Sequence, residues 1–356
     1  MRIAFALAGL GGFNAHGAGF LAAATKCGVV PEMVTATSGQ IVVLANWLAG
    51  KDLEQSLISA GNRTDPLAQL RALMLGDPGV FRPAYWEALA RFTTWPDFKG
   101  GVLNVLADRL LPAQQYVPER RDADFAEITA TLNATPIGVV FNTYDPKTGQ
   151  GFLFGNDAAR ALLPQDKAIT NTRAETIRQE PGQHDLRYVS QADAERDIHP
   201  ITVDAVKAAL WLSLYGFHGR PGGQMDGAYH RSCIISELHV FDHIFVARPL
   251  AQGWRGKEPA NWFEVQDWQT EMWFSVAYKA EVDALKRIND LIAAGVITNP
   301  NFKTVELVEI EPETPAGYFH YFVERPEVYD AAFKTAEEAF AKHLAKPVLG
   351  GLRAGG

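Results

Sequence analysis

The stretch TATSGQIVVLANWLAG, residues 35–50, decides the fold. Its first residues are β-type, the run stops on Ser38-Gly39, and an apolar helical pattern begins at once and closes at Gly50. A strand that ends on a serine and re-enters a helix without a loop is the geometry of a nucleophile elbow. The same letters also spell an ordinary helix N-cap, because a serine hydroxyl accepts a bond from a free N–H of the first turn. On this stretch alone the cap is the commoner meaning. The surrounding sequence shifts the balance.

Upstream, RIAFALA at residues 2–8 forms a short apolar run, followed by the glycine-rich GLGGFNAHGAG and a helix of small residues ending at Gly28. PEMVTAT then gives a second strand, and Ser38 follows it directly. In a parallel sheet with right-handed crossovers both strand ends face the same way, so the glycine-rich turn and the serine fall on one edge of the sheet. Free backbone N–H groups then lie beside a hydroxyl. Acyl transfer needs that pairing, because attack on an ester carbonyl builds charge on its oxygen, and one aimed donor is worth roughly 3 kcal/mol. Gly11, Gly12 and Gly39 are the natural donors, since glycine lets the backbone approach closely and adopt positive φ.

The chain has 356 residues, 47% hydrophobic and 21% charged, enough for a sizeable core in one large α/β domain or two smaller ones. A formal net charge of -8 with no basic run argues against a nucleic-acid binder. Cys27 and Cys233 lie far apart without metal-type spacing and read as reduced thiols, although one disulfide is also compatible with the sequence. The N-terminus faintly imitates a secretory signal, but Gly9, Gly11, Gly12, Asn14 and His16 break the apolar run and favour a first β-strand. No stretch reaches transmembrane length, and the cytoplasm is the expected location.

Between Leu53 and Leu111 the pattern is mostly helical with turn breaks and is rich in aromatics: Phe81, Tyr85, Trp86, Phe92, Trp95 and Phe98. Core packing is their expected role, with a cover over a lipid-accessible cleft as the alternative. Residues 135–156 carry a β-hairpin signature, and residues 165–198 read as surface loops or a short insertion. A helix-like VDAVKAALWLSLYG, a glycine-rich loop containing GGQMDGAYH and a buried strand in FDHIFVARPL follow. A long helix from about Glu264 to Ile292, the strand KTVELVEIEPE and a last helix from about Pro326 to Lys342 complete the pattern. No break resembles a linker, so a core over 1–255, a C-terminal helix-strand-helix elaboration over 256–347 and a loose tail over 348–356 are expected.

A serine hydroxyl is a weak nucleophile until a base takes its proton. None of the nine histidines stands in a context that singles it out, His218 and His230 being nearest to a functional-looking loop. Asp226 is the sharper candidate, although Asp-Gly is also a standard turn dipeptide.

The order of these elements resembles the patatin-like phospholipases, over roughly residues 3–250. LAGLGGFNAHGAGFLAAATKCGVVP is similar to that family's oxyanion segment and first helix, TATSGQ stands where it carries G-x-S-x-G, PIGVVFNTYDPKTGQGFLF is similar to its central hairpin, and QMDGAYH to its D-G-A/G motif. The C-terminal helix, strand and helix are similar to bacterial members with an added C-terminal region. The resemblance implies a three-layer α/β/α fold, a mostly parallel sheet flanked by helices. It implies a lipase, phospholipase or esterase that cleaves carboxylic esters through a Ser38–Asp226 dyad and an acyl-enzyme, with Gly11, Gly12 and Gly39 at the oxyanion, no cofactor and no metal. The partner is a lipid or small acyl ester, with transient contact at a membrane surface; no nucleic acid is expected, and the oligomeric state is left open. Three positions depart from the pattern: Ala36 and Gln40, two places either side of the serine, and Phe13 where the family has a basic residue. Gln40 would crowd the turn unless the helix packs it outward.

Other readings fare worse. GLGGFNA looks like a damaged dinucleotide fingerprint, but the second strand ends in Thr37-Ser38 where an acidic residue belongs, and G-K-[ST] is missing. An acyltransferase would want histidine where Thr37 stands. HVFDH lacks the H-E-x-x-H pattern, so His239 and His243 are expected to be surface or packing residues. A catalytically impaired member acting in lipid binding or protein interaction is the alternative of a different class.

Overall fold

A computed structural model describes residues 1–9, 14–57, 74–76, 79–94, 101–110, 112–163, 197–248, 253–254, 258–298, 303–311 and 326–344. Gly11, Gly12, Phe13, Trp95, Phe98, nearly all of the expected insertion at 165–198 and the tail lie outside the described residues.

In chain order the elements are β1 (Ile3–Leu7), α1 (Asn14–Lys26), β2 (Met33–Ala36), α2 (Gln40–Leu48), α3 (Leu53–Leu57), β3 (Phe81–Pro83), α4 (Tyr85–Thr93) and α5 (Gly101–Leu110). There follow β4 (Tyr116–Pro118), α6 (Asp122–Ala134), β5 (Gly138–Asp145), β6 (Gln150–Gly155), α7 (Asp157–Leu162), β7 (Ile198–Pro200) and α8 (Val203–Ala209). The last are β8 (Met225–Asp226), β9 (His243–Ala247), α9 (Trp262–Ala293), β10 (Glu306–Ile310) and α10 (Pro326–Leu344).

The protein is an α/β fold around an eight-stranded, mostly parallel sheet of order β10-β9-β1-β2-β5-β6-β7, with β8 paired to β5. β10, β9, β1, β2 and β5 all run parallel, and the apolar runs of β9, β1, β2 and β5 are buried on both faces, as central parallel strands require. Alternation along each strand divides the core. Phe5, Val34, Phe141 and Phe245 point to one layer, where α1, α2, α6, α8 and α10 pack. Ala4, Ala6, Met33, Val140 and Ile244 point to the other, covered by α7, α9 and the segment 233–241. The rings of Phe5 and Phe20, and of Phe245 and Phe340, meet with centroids 4.9 Å apart, fixing α1 and α10 onto the sheet. The three layers are thus helix, sheet, helix.

β10 pairs with β9, so the carboxyl-terminal segment finishes the central sheet itself. The hairpin β5–β6 is antiparallel, as its sequence predicts. The helix expected in VDAVKAALWLSLYG stops at Ala209. Beyond it Leu214 accepts N–H bonds from Gln115 and Tyr116, which ties the loop to β4.

The aromatics of α4 correct the core-packing expectation. No residue of α4 is buried; Trp86 is 75% exposed, and Tyr85, Leu89 and Phe92 are exposed with it. On α5, Leu103 is 82% exposed and Val102, Leu106 and Leu110 are exposed as well. The helical period turns these apolar stripes to solvent. Among the described residues no helix is long and apolar enough to cross a membrane.

Candidate active site

β5 is longer than β2, and this difference builds the site. β2 pairs with β5 from Gly138 to Phe141 and stops there, Ala36 lying opposite Phe141. β6 occupies the other edge of β5 from Val140 to Asp145. The edge that β2 leaves open is taken by β8, which runs the opposite way and sets Asp226 opposite Thr143. Two strands therefore approach each other along one edge of β5. Ser38 stands at the end of one, Asp226 at the end of the other.

Ser38 has φ +59°, alone among the described non-glycine residues in the left-handed region. That conformation costs a side-chain-bearing residue roughly 1–2 kcal/mol. It lets the chain turn from β2 into α2 without a loop, the Gln40 and Ile41 N–H groups donating to the Thr37 and Ser38 carbonyls at 3.2 and 3.0 Å. The cap reading is thereby corrected: Gly39 is the N-cap residue, no side chain caps the helix, and the Ser38 hydroxyl instead donates to Asp226 Oδ2. Gly39 has φ −54°, so the positive φ expected of a glycine falls on the serine. The Gly39 N–H makes no hydrogen bond among the described residues.

Close approach on the other side depends on Gly9, two residues past the end of β1. A Cβ there would lie 2.9 Å from the Ser38 Cβ, so a side chain would displace the elbow. Asn14, opening α1, rests its carboxamide on Gly39. Gln40 is not packed outward, which was the one way the sequence offered for it to leave the turn uncrowded. It is buried, and its carboxamide lies against α1 at Gly17, which has no side chain to obstruct it.

Asp226 makes the turn its sequence context suggested and also meets the elbow serine. Oδ1 accepts the Ala228 N–H at 2.9 Å and shapes the turn at Gly227–Tyr229, while Oδ2 accepts the Ser38 hydroxyl. Its own N–H is held by the Trp211 carbonyl at 3.1 Å. Burial pushes the carboxyl up to about 7, against the opposing pull of the Ser38 and Ala228 donors. A carboxyl with that midpoint is a far better base near neutral pH than a solvated aspartate.

Ser38 and Asp226 hydrogen-bond to no histidine among the described residues. His230 stacks on Tyr144, centroids 5.6 Å apart, and His16 is buried and driven down to about 3 by desolvation, so it stays neutral. His239 lies in a short 3₁₀ turn and His243 opens β9 against Glu306, so the two do not share a helical face. Among the described residues no cluster of His, Cys, Asp and Glu fit to hold a metal is found.

Sequence reasoning missed Gly9 and Asn142. Asn142 Nδ2 donates to the Gly227 and Arg231 carbonyls at 3.1 and 2.9 Å, anchoring the turn that follows Asp226. The available signal was a lone amide inside the apolar strand GVVFNTYD, since a buried amide needs partners. No protein-family model matches the chain, and no curated protein is significantly similar to it.

Proposed function

We propose that this chain is a serine acyl hydrolase that cleaves carboxylic ester bonds of lipids through Ser38 and Asp226. The observation that carries the reading is a serine held at positive φ in a strand-turn-helix elbow, its hydroxyl bonded to a buried carboxyl. A structural serine needs neither the strain nor the buried partner.

Asp226, as carboxylate, takes the hydroxyl proton while Ser38 Oγ attacks the ester carbonyl carbon. The oxygen that gains charge is served by the Gly39 N–H and, on the resemblance to patatin-like phospholipases, by Gly11 and Gly12. Collapse breaks the ester C–O bond, and the leaving alcohol receives the proton from Asp226. Water then attacks the acyl-enzyme, passes a proton to Asp226 and releases the fatty acid, and that proton returns to Ser38.

A lipid rather than a small polar ester is favoured by the exposed apolar stripes of α4 and α5. They connect to the site: Ala84 donates to Gln115, Gln115 to Leu214, and Trp211 just upstream accepts from Asp226. The unpaired thiols of Cys27 and Cys233 accord with a cytoplasmic setting. The impaired-member reading rested on Gln40 and Phe13; the room at Gly17 removes the first support, and Phe13 lies outside the described residues.

The test is labelling with a fluorophosphonate followed by intact mass, alongside p-nitrophenyl ester hydrolysis. One adduct on the wild type, absent in Ser38→Ala and slowed in Asp226→Asn, is the expected result. A folded wild type with neither adduct nor turnover would overturn the proposal.

A further inference from the structure

β8 is only two residues long, and the turn after it must keep Asp226 in line with Ser38. From the sheet side the turn is held by Asn142. Its far end is Arg231, whose N–H donates to the Gly227 carbonyl at 2.8 Å. The Arg231 guanidinium makes a two-pronged pair with Glu237 at 2.8 and 2.7 Å, but Glu237 belongs to the same loop and cannot anchor it to anything else. The anchor is Glu281, in the middle of α9.

Glu281 gathers five donors. Arg231 Nε bonds one carboxylate oxygen; the other accepts Arg231 Nη2 at 3.0 Å, the Ile235 and Ser236 N–H groups at 3.0 and 3.1 Å and the Ser236 hydroxyl at 3.2 Å. Burial alone would push the Glu281 carboxyl up, but the Arg231 charge and these donors outweigh it and hold it below the usual range, so it stays ionised at neutral pH. A paired charge this enclosed cannot lose its partner cheaply, because the survivor is left buried and uncompensated.

We infer that Glu281 is a positioning residue for Asp226, acting through Arg231, so that the long carboxyl-terminal helix α9 is part of the machinery that aligns the dyad. The activity readout below rests on the hydrolase reading; the spectroscopic one does not. The groups acting directly on the Asp226 carboxyl are the Ser38 hydroxyl and the Ala228 N–H. The titratable neighbours on β5 and the turn are Tyr144, His230 and Arg231. Loosening the turn admits water to the carboxyl, and hydration lowers a midpoint that burial has raised.

The experiment compares wild type, Glu281→Gln, Glu281→Ala and, as a surface control on α9, Lys279→Ala. Phosphonylation of Ser38 is followed against pH, and the Asp226 carboxyl is titrated by 13C NMR, assigned with Asp226→Asn. The expected result is a loss of about 100-fold in the maximal labelling rate at unchanged probe affinity, the scale of a misaligned catalytic group. The Asp226 midpoint should fall from near 7 toward the ordinary aspartate range, and Lys279→Ala should match wild type. Glu281→Gln with wild-type rate and midpoint would overturn the inference. So would a rate lost only in proportion to unfolded protein, with the midpoint unmoved. A wild type that takes no label while Glu281→Gln still shifts the midpoint would sink the hydrolase reading and leave the positioning role standing.

Discussion

Gln40 occupies the space that a side chain at position 17 would need: its Oε1 lies 1.8 Å from where a Cβ on Gly17 would stand. A bulky residue two places after the elbow serine is accommodated because the facing helix offers a glycine.

The pair should therefore behave as a unit. Gly17→Ala is expected to destabilise by roughly 1–3 kcal/mol through overpacking, although alanine is the better helix former. Adding Gln40→Ala should recover most of that loss. Chemical denaturation of the two single variants and the double variant gives the coupling, and simple additivity would contradict the packing described.

Strain at Ser38 can be weighed separately from chemistry. Ser38→Gly and Ser38→Ala both remove the hydroxyl, but only glycine is at ease at φ +59°. Ser38→Gly should be the more stable by about 1 kcal/mol, read as the difference in unfolding free energy. Neither variant should hydrolyse esters.

Asp226 ties activity and stability to the same proton in opposite senses. On the hydrolase reading the base form is needed for attack, so kcat/KM should rise with pH along a limb centred near 7. The folded carboxyl keeps its proton up to about 7, whereas the unfolded one loses it near 3.8. The group therefore favours the fold fully below about pH 4, and that contribution is lost as pH rises to about 7. Asp226→Asn has no proton to lose, so its Tm should gain on wild type across this interval and hold the gain above it. A Tm difference independent of pH would show that the carboxyl does not titrate there.

Trp86 and Leu103 should matter only at an interface. Removing a large apolar side chain forfeits roughly 1.5–3 kcal/mol of burial, so Trp86→Ser and Leu103→Ser should each cut vesicle hydrolysis about 10-fold or more. Turnover of a dispersed short-chain ester should be unaffected. Equal losses on both substrates would rule out an interfacial role for these helices.

Much of the fold was legible because the central strands and helices follow simple periods. The ends of α9 and α10 fall within two residues of those read from the sequence, and the elbow announced itself in TATSGQ. Where the Ser38 hydroxyl points was not legible, since a helix cap and a partner of Asp226 are spelled with the same letters. The site also depends on a mismatch in length between β2 and β5, a relation between strands that no local pattern encodes. Gln40 misled for a related reason: its complement, Gly17, lies on another helix. The α4 aromatics were misassigned because an amphipathic stripe reads the same whether it faces a core or the solvent.

The meeting of β2 and β8 on one edge of β5 also orders events in time. A ribosome finishes Ser38, both first helices and the hairpin long before it reaches residue 226, and through that interval the hydroxyl has no proton acceptor. On the reading proposed above, an unfinished chain is chemically silent toward the lipids around it. On that reading, competence arrives only when the last gap beside β5 is filled.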